Sequence, residues 1–224
     1  GRMGGFHARV CAENPNVKLV AVVDSVATQA EAVAGKYGVE GLSSVEPLLG
    51  RIRAAVVAVP TVAHLTVAAP LLEQGVSCLV EKPLAATSAE AALLVKAAAK
   101  GGATLQVGHS ERFNPAFMAL GKYDLRPRFV EATRVSPCRF RSMDIGVVMD
   151  LMIHDIDLVL TLAGEAPTSV QAVGARVASE HPDFAVARLG FSGGRAATIT
   201  ASRVSLAMER RLRVLGTEGE MSVD

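Results

Sequence analysis

The sequence contains no tryptophan and only 3 cysteines among its 224 residues. Half of it is hydrophobic, so the core must be built mainly from Ala, Val, Leu and Ile. Cys11, Cys78 and Cys138 are odd in number, widely spaced and without a CxxC pair, which argues against a disulfide framework or a zinc site. We therefore expect no bound metal and a reducing, cytoplasmic location.

An excess of charge of either sign is also absent. The 23 basic and 22 acidic residues leave a net charge of +1, which gives no electrostatic reason to expect nucleic acid or a membrane surface as a partner. No apolar stretch reaches the ~18 residues that a bilayer span needs. The first residues also lack the charged and then apolar pattern of a signal peptide.

Both ends of the sequence look cut. Gly1 already belongs to a glycine-rich turn that no strand precedes, and residues 211–224 alternate like a strand-turn-strand unit that stops without a terminal helix. We expect the chain to be the middle of a longer protein, without the first strand of its first domain and without the C-terminal part of its second.

The first half of the chain alternates between strand-like and helix-like stretches. Buried-strand patterns occupy residues 18–24, 54–59, 76–80 and 103–107, and helical patterns lie between them at residues 27–37, 63–74 and 88–100, the last with Ser88 as the predicted N-cap. This rhythm predicts βαβ units and a Rossmann-type, doubly wound parallel sheet in residues 1–112.

The second half, residues 113–224, has a different pattern. Helices are predicted at residues 114–122 and 147–162, and strands at residues 128–135, 169–177, 184–191, 196–204 and 211–215. Because no helical pattern separates the later strands, a largely antiparallel sheet backed by a helix is expected, which makes this an α+β domain.

A dinucleotide site is indicated at the start of the chain. Gly1, Arg2, Met3 and Gly4 match the last two glycines of a GxGxxG fingerprint, and Asp24 closes the next strand 20 residues beyond Gly4. A carboxylate there hydrogen-bonds the adenosine ribose and repels a 2′-phosphate, so NAD is favoured over NADP. The alternative is an ordinary strand-to-helix turn followed by a solvated aspartate.

Titratable residues follow several of the predicted strands, where a doubly wound sheet binds its ligands. Glu81, Lys82 and Pro83 come directly after one strand, and Lys82 is one of 6 lysines against 17 arginines. Asp150 and His154 are four residues apart on a predicted helix, so the carboxylate can orient the imidazole as a general base. The alternatives are a surface turn lysine and a capped or salt-bridged helix surface.

Two polar loops complete the predicted site. Pro60 and Thr61 lead to His64 at the end of the second predicted strand, where a loop borders the nicotinamide end of a dinucleotide. His109 and Arg112 lie in a similar turn after the fourth strand. Polar residues commonly fill such loops, so each signal is weak on its own.

The motifs together resemble the Gfo/Idh/MocA family of oxidoreductases. The resemblance rests on the glycine remnant, Asp24, PTxxH from Pro60, VEKPLA from Val80, GHxxRFxP from Gly108 and DxxxH from Asp150, in the family's order. It implies a Rossmann domain followed by a domain with an open, largely antiparallel sheet that forms the substrate site and the homo-oligomer contacts. It also implies oxidation of a sugar or polyol hydroxyl with NAD(P).

The resemblance also implies residue roles. Lys82 would hydrogen-bond the reacting oxygen, His154 would act as general acid/base, and Asp150 would assist it and bind substrate. The segments GHSERFNPA, from Gly108, and DLMIHDIDLVL, from Asp150, look most like the UDP-N-acetylglucosamine 3-dehydrogenase branch of the family. This resemblance makes Arg139, Arg141 and Asp144 candidate substrate contacts. An inositol or other polyol dehydrogenase and a non-catalytic dinucleotide-binding regulator remain the alternatives.

Overall fold

The computed structural model describes residues 1–138 and 145–224. The chain forms two compact units, Gly1–Gly108 and His109–Asp224. Residues 109–112, which precede the boundary expected from sequence, therefore belong to the second unit.

The first unit contains parallel strands joined by helices. Its helices are α1 (Arg2–Glu13), α2 (Ala27–Ala34), α3 (His64–Glu73) and α4 (Ser88–Gly101), and its strands are β1 (Ala21–Val23), β2 (Glu40–Leu42), β3 (Ala54–Val57), β4 (Ser77–Val80) and β5 (Leu105–Val107). Strand β1 pairs with β2, and β3, β4 and β5 form a second group in that order, all parallel. The prediction of a Rossmann-type parallel sheet is confirmed.

The two groups of parallel strands are not hydrogen-bonded to each other among the described residues. Strand β3 consequently has one open edge, and Val56 is 37% exposed, although the sequence suggested a fully buried strand.

The N-cap of helix α4 is Thr87, one residue before the predicted cap Ser88. The Thr87 hydroxyl, and not that of Ser88, accepts a hydrogen bond from the Glu90 amide at 3.2 Å. The helix ends at Gly101 and is capped by Gly102, whose φ of 63° favours glycine.

The second unit is an open sheet with helices packed against it. Helices α5 (Pro115–Leu120) and α6 (Ile153–Ala163) accompany strands β6 (Pro127–Val135), β7 (Ser169–Ala175), β8 (Phe184–Gly190), β9 (Ala196–Ser202), β10 (Glu209–Gly216) and β11 (Gly219–Val223). The strand order is β11-β10-β6-β9-β8-β7, with β6 and β9 parallel and the other neighbouring pairs antiparallel. The expected open, largely antiparallel sheet is confirmed.

The long helix predicted at residues 147–162 has two parts. A π-helical segment (Val148–Met152) comes first and runs directly into α6, which ends at Ala163 and is capped by Gly164 at a φ of 67°. The apolar pattern did not reveal this segment because a π turn differs from an α turn by about one residue.

None of the helices in the described part of the chain is long and apolar enough to cross a membrane.

Candidate active site

The glycine turn and Asp24 lie together in the first unit. Gly1 directly precedes α1, and Gly4 lies in the first turn of that helix. A Cβ added at Gly1 or Gly4 would meet no atom of the described residues within 4 Å. Asp24 follows β1, where its Oδ1 accepts a hydrogen bond from the Val26 amide at 3.0 Å and its Oδ2 lies 3.7 Å from the Gly1 nitrogen.

These residues fit a dinucleotide. Within the described chain no side chain caps α1, so the first backbone N–H groups of the helix are available to a pyrophosphate, which the helix dipole also favours. Arg2 and Met3 occupy the exposed first turn, and the Arg2 guanidinium lies 5.4 Å from the centre of the Phe6 ring. Asp24, next to the glycine, can accept the hydroxyls of the adjoining ribose.

Lys82 lies in a turn that hydrogen bonds hold in place after β4. Glu81 donates its amide to the Val57 carbonyl at 2.9 Å, and its Oε2 accepts a hydrogen bond from the Lys82 amide at 3.2 Å. Its Oε1 lies 2.7 Å from Nε2 of His7, in α1. Lys82 is half-buried, as the apolar segments on either side of it suggest.

His7 was not among the candidate residues. Its partner Glu81 is 74 positions away, and no pattern in a sequence links two residues over that distance. His7 lies six residues after Gly1, so the sequence could only have placed it near the predicted dinucleotide site.

The loop after β3 contains the predicted cofactor residues Pro60, Thr61 and His64. Pro60 is exposed and Thr61 is half-buried at the start of a short 3-10 turn. His64 is only 1% exposed, with Nδ1 3.0 Å from the Pro83 carbonyl and Nε2 3.0 Å from the Val59 carbonyl. Because both ring nitrogens face protein carbonyls, this geometry favours a structural role for His64 at the Lys82 turn over direct cofactor contact.

Asp150 and His154 lie at the junction of the π-helical segment and α6. Asp150 is within the segment and its amide donates to the Gly146 carbonyl at 3.1 Å, whereas His154 is the second residue of α6. Both are half-buried. Because π-helical turns occur frequently at functional sites, this junction is a suitable place for an acid/base pair.

Arg112 and His109 pack against Asp157, one turn beyond His154. Arg112 donates Nε to Oδ2 of Asp157 at 2.7 Å and Nη2 to the other carboxylate oxygen, and Nε2 of His109 lies 3.7 Å from that carboxylate. This contact raises the pKa of Arg112, because the carboxylate stabilises its charged form. Arg112 thus ties the turn after residue 108 to α6, a structural role that the sequence did not indicate.

A second ion pair holds the same helix to the sheet. Arg134 of β6 donates Nε and Nη2 to the two oxygens of Asp155 at 2.9 Å each, and both residues are buried. Nη2 of Arg134 also lies 3.5 Å from Oε2 of Glu111. The two residues that follow His154 closely, Asp155 and Asp157, are therefore both engaged by arginines of the second unit.

Three further substrate candidates precede the π-helical segment in the sequence. Arg139, Arg141 and Asp144 lie outside the described residues. Among the residues that the structure does describe, no group of three or more His, Cys, Asp or Glu side chains could hold a metal ion.

Family models match both units of the chain. Residues 1–109 match the model described as "Oxidoreductase family, NAD-binding Rossmann fold". Residues 126–222 match the "GFO/IDH/MocA C-terminal domain".

Several known proteins are similar over the whole chain. UDP-N-acetylglucosamine 3-dehydrogenase from Acidithiobacillus ferrooxidans is 37% identical, over 100% of this chain and 71% of its own length, and its solved structure superposes with a TM-score of 0.94 over 74% of that chain. An inositol 2-dehydrogenase from Rhizobium meliloti is 29% identical over 100% of this chain and 73% of its own. The structure of GenD2 from gentamicin A biosynthesis in complex with NAD is 25% identical, with a TM-score of 0.89, over 99% of this chain and 69% of that chain.

Proposed function

Since this chain belongs to the Gfo/Idh/MocA family of oxidoreductases, we propose that it oxidises the 3-hydroxyl of UDP-N-acetylglucosamine with NAD. The substrate is suggested by the similarity to the enzyme of that name, which covers 100% of this chain and 71% of that enzyme. The proposed chemistry is supported by one observation: the chain has a half-buried lysine after β4 in its first unit, and Asp150 and His154 at the junction of the π-helical segment and α6 in its second.

The three residues have separate tasks in this proposal. The bound dinucleotide supplies the hydride acceptor. Lys82 donates a hydrogen bond to the reacting oxygen and stabilises the charge that develops on it. His154 accepts the hydroxyl proton as the C–H bond breaks and the C–O bond becomes a carbonyl, and Asp150 orients the imidazole and binds the sugar.

The choice of NAD over NADP rests on Asp24. One of its oxygens is engaged by the Val26 amide, and the other faces the glycine turn. A carboxylate in this position accepts ribose hydroxyls and repels a 2′-phosphate. We expect Asp24→Ala to narrow the preference for NAD over NADP, measured as the ratio of the two kcat/KM values.

Steady-state NADH formation by the full-length protein tests the substrate. UDP-N-acetylglucosamine, myo-inositol and glucose should be compared, and the nucleotide sugar is expected to have the highest kcat/KM. Turnover of myo-inositol alone would replace the proposal with the second candidate, which the similarity to inositol 2-dehydrogenases favours.

A Lys82 variant separates an enzyme from a dinucleotide-binding regulator. Lys82→Ala is expected to lower kcat by about 10²- to 10⁴-fold while leaving the Kd for NADH within about threefold of wild type. Lys96→Ala, at an exposed position of α4, is the matched control and should leave both unchanged. Full activity in the Lys82→Ala variant would contradict the catalytic role proposed for Lys82.

We also propose that the chain forms homo-oligomers through the second sheet. The edge strand β7 is exposed along its length, and Val170 and Val173 are 62% and 69% exposed. Burial of such side chains favours association. Light scattering of the wild type and of Val173→Glu tests this, since the variant should shift the mass towards the monomer.

A further inference from the structure

We infer that His7 is a positioning residue for Lys82, acting through Glu81. This inference rests on the proposed catalytic role of Lys82. His7 lies in α1, the helix whose N-terminus fits the pyrophosphate, and Glu81 directly precedes the lysine. The contact therefore joins the cofactor-binding helix to the catalytic turn within one unit of the protein.

The contact is short and mostly shielded from solvent. Nε2 of His7 lies 2.7 Å from Oε1 of Glu81, and the two side chains are 23% and 14% exposed. A hydrogen bond to a carboxylate is stronger than one between neutral groups, and it is strengthened further where water is largely excluded. The His7 ring therefore fixes one oxygen of Glu81.

The other oxygen of Glu81 transmits this constraint to the lysine. Oε2 accepts a hydrogen bond from the Lys82 amide at 3.2 Å, so the rotamer of Glu81 and the backbone of Lys82 are coupled. Gly108 lies against the same side chain, because a Cβ added there would be 3.3 Å from Oε1 of Glu81. Gly108 and the hydrogen bond with His7 thus restrict the Glu81 carboxylate to one orientation.

The backbone on the far side of Lys82 is fixed independently. His64 is buried and its ring contacts the carbonyls of Pro83 and Leu84 at 3.0 and 3.2 Å. The residues after Lys82 are thereby held through α3, and the residue before it through α1. Loss of the His7 contact should consequently loosen the turn on one side and leave the rest of the fold intact.

Two substitutions of His7 test the inference because they differ only in reach. The amide nitrogen of His7→Gln occupies a position like that of Nε2, which makes the contact with Glu81, whereas the amide of His7→Asn corresponds to Nδ1 and falls short. Glu13→Ala, at the exposed end of α1, is the control for a general effect on the helix. The full-length protein is used throughout.

Hydrogen–deuterium exchange of a peptide covering residues 81–84 is the readout that does not depend on activity. His7→Asn is expected to speed exchange in this peptide, whereas His7→Gln and Glu13→Ala leave it like the wild type. In turnover, His7→Asn should lower kcat about 10- to 100-fold, as loss of a charged hydrogen bond predicts. The KM and the Kd for NADH should change by less than about threefold, and His7→Gln should retain most of the activity.

The outcomes distinguish this inference from the proposed function. Wild-type exchange and wild-type kcat in His7→Asn would overturn the positioning role, whatever Lys82→Ala does. A large loss of NADH affinity with unchanged exchange would also overturn it, because His7 would then act on the cofactor alone. If the wild type turns over no sugar, the proposed function fails, while altered exchange in His7→Asn with retention in His7→Gln would still support the contact.

Discussion

Replacing Asp183 with asparagine should destabilise the second unit strongly. Asp183 has 0% exposure. Its Oδ2 accepts hydrogen bonds from the amides of Val177, Ala178 and Ser179 at 2.7–3.0 Å. Its Oδ1 accepts from the Ser179 hydroxyl at 2.8 Å and from Nε of Arg203 at 2.7 Å.

The size of the effect follows from the donors that surround the carboxylate. An asparagine has the same shape but only one acceptor oxygen, so its NH₂ group must face either the backbone amides or the buried Arg203 guanidinium. Removing one partner of a buried ion pair costs about 3–5 kcal/mol. Because the exchange is isosteric, no cavity adds to this figure, and we expect Asp183→Asn to lower the free energy of unfolding by an amount in that range.

Urea denaturation of the full-length protein measures this change. The midpoint should fall at an unchanged m-value, which separates lost stability from an altered unfolded state. Asp124→Asn is the matched control, since Asp124 pairs with Arg126 at 3.0 Å but the two side chains are 73% and 67% exposed, and its cost should stay below about 1 kcal/mol. Equal costs for the two variants would refute the reasoning.

The same carboxylate also predicts how stability depends on pH. Burial of Asp183 raises its pKa, but the hydrogen bonds from Val177, Ala178, Arg203 and Ser179 outweigh burial and hold the pKa well below its ordinary value. A depressed native pKa contributes stability that is complete above the unfolded value and is lost as the pH falls through the native one. The stability difference between wild type and Asp183→Asn should therefore shrink between about pH 5 and pH 2, and a constant difference over that interval would contradict the assignment.

Three further substitutions have effects that the structure defines. Thr87→Ala removes the side-chain cap of α4 and should cost about 1 kcal/mol in thermal unfolding, whereas Thr87→Ser should cost much less. Gly101→Ala places a Cβ 1.9 Å from the Leu72 carbonyl oxygen and should cost about 1–3 kcal/mol in the same measurement; a stabilised variant would show that α3 and α4 separate easily. Arg112→Ala removes the ion pair with Asp157 and should lower kcat/KM for the sugar about tenfold. Unchanged kinetics would show that this ion pair does not contribute to the reaction.

The sequence predicted those features that depend on local patterns. Apolar runs separated by helical segments identified the other parallel strands of the first unit. Strand β2 was missed because Glu40–Leu42 is short and has only one apolar side chain. In the second unit, consecutive strand patterns without a helical pattern between them likewise predicted the largely antiparallel sheet. The motif order gave the family, which the comparisons confirm, while the individual site roles stay predictions.

Features that depend on distant side chains could not be predicted in the same way. The His7–Glu81 contact and the Arg112–Asp157 pair span 74 and 45 positions, and composition does not specify which arginine meets which aspartate. The engagement of Asp157 by Arg112 is visible only in the folded structure. The π-helical segment escaped because one extra residue in a turn barely alters an apolar pattern.

The parallel pairing of β6 with β9 has a consequence for the order in which the second unit folds. Paired residues such as Phe129 and Ala196 are far apart in the chain, and the segment between them contains α6 with His154. Such long-range pairing requires the entropic cost of closing a long loop before the stabilising contacts between the strands can form. A high contact order therefore slows folding. We therefore expect α6, which carries His154, to gain its complete packing surface late in folding, after β6 and β9 have paired.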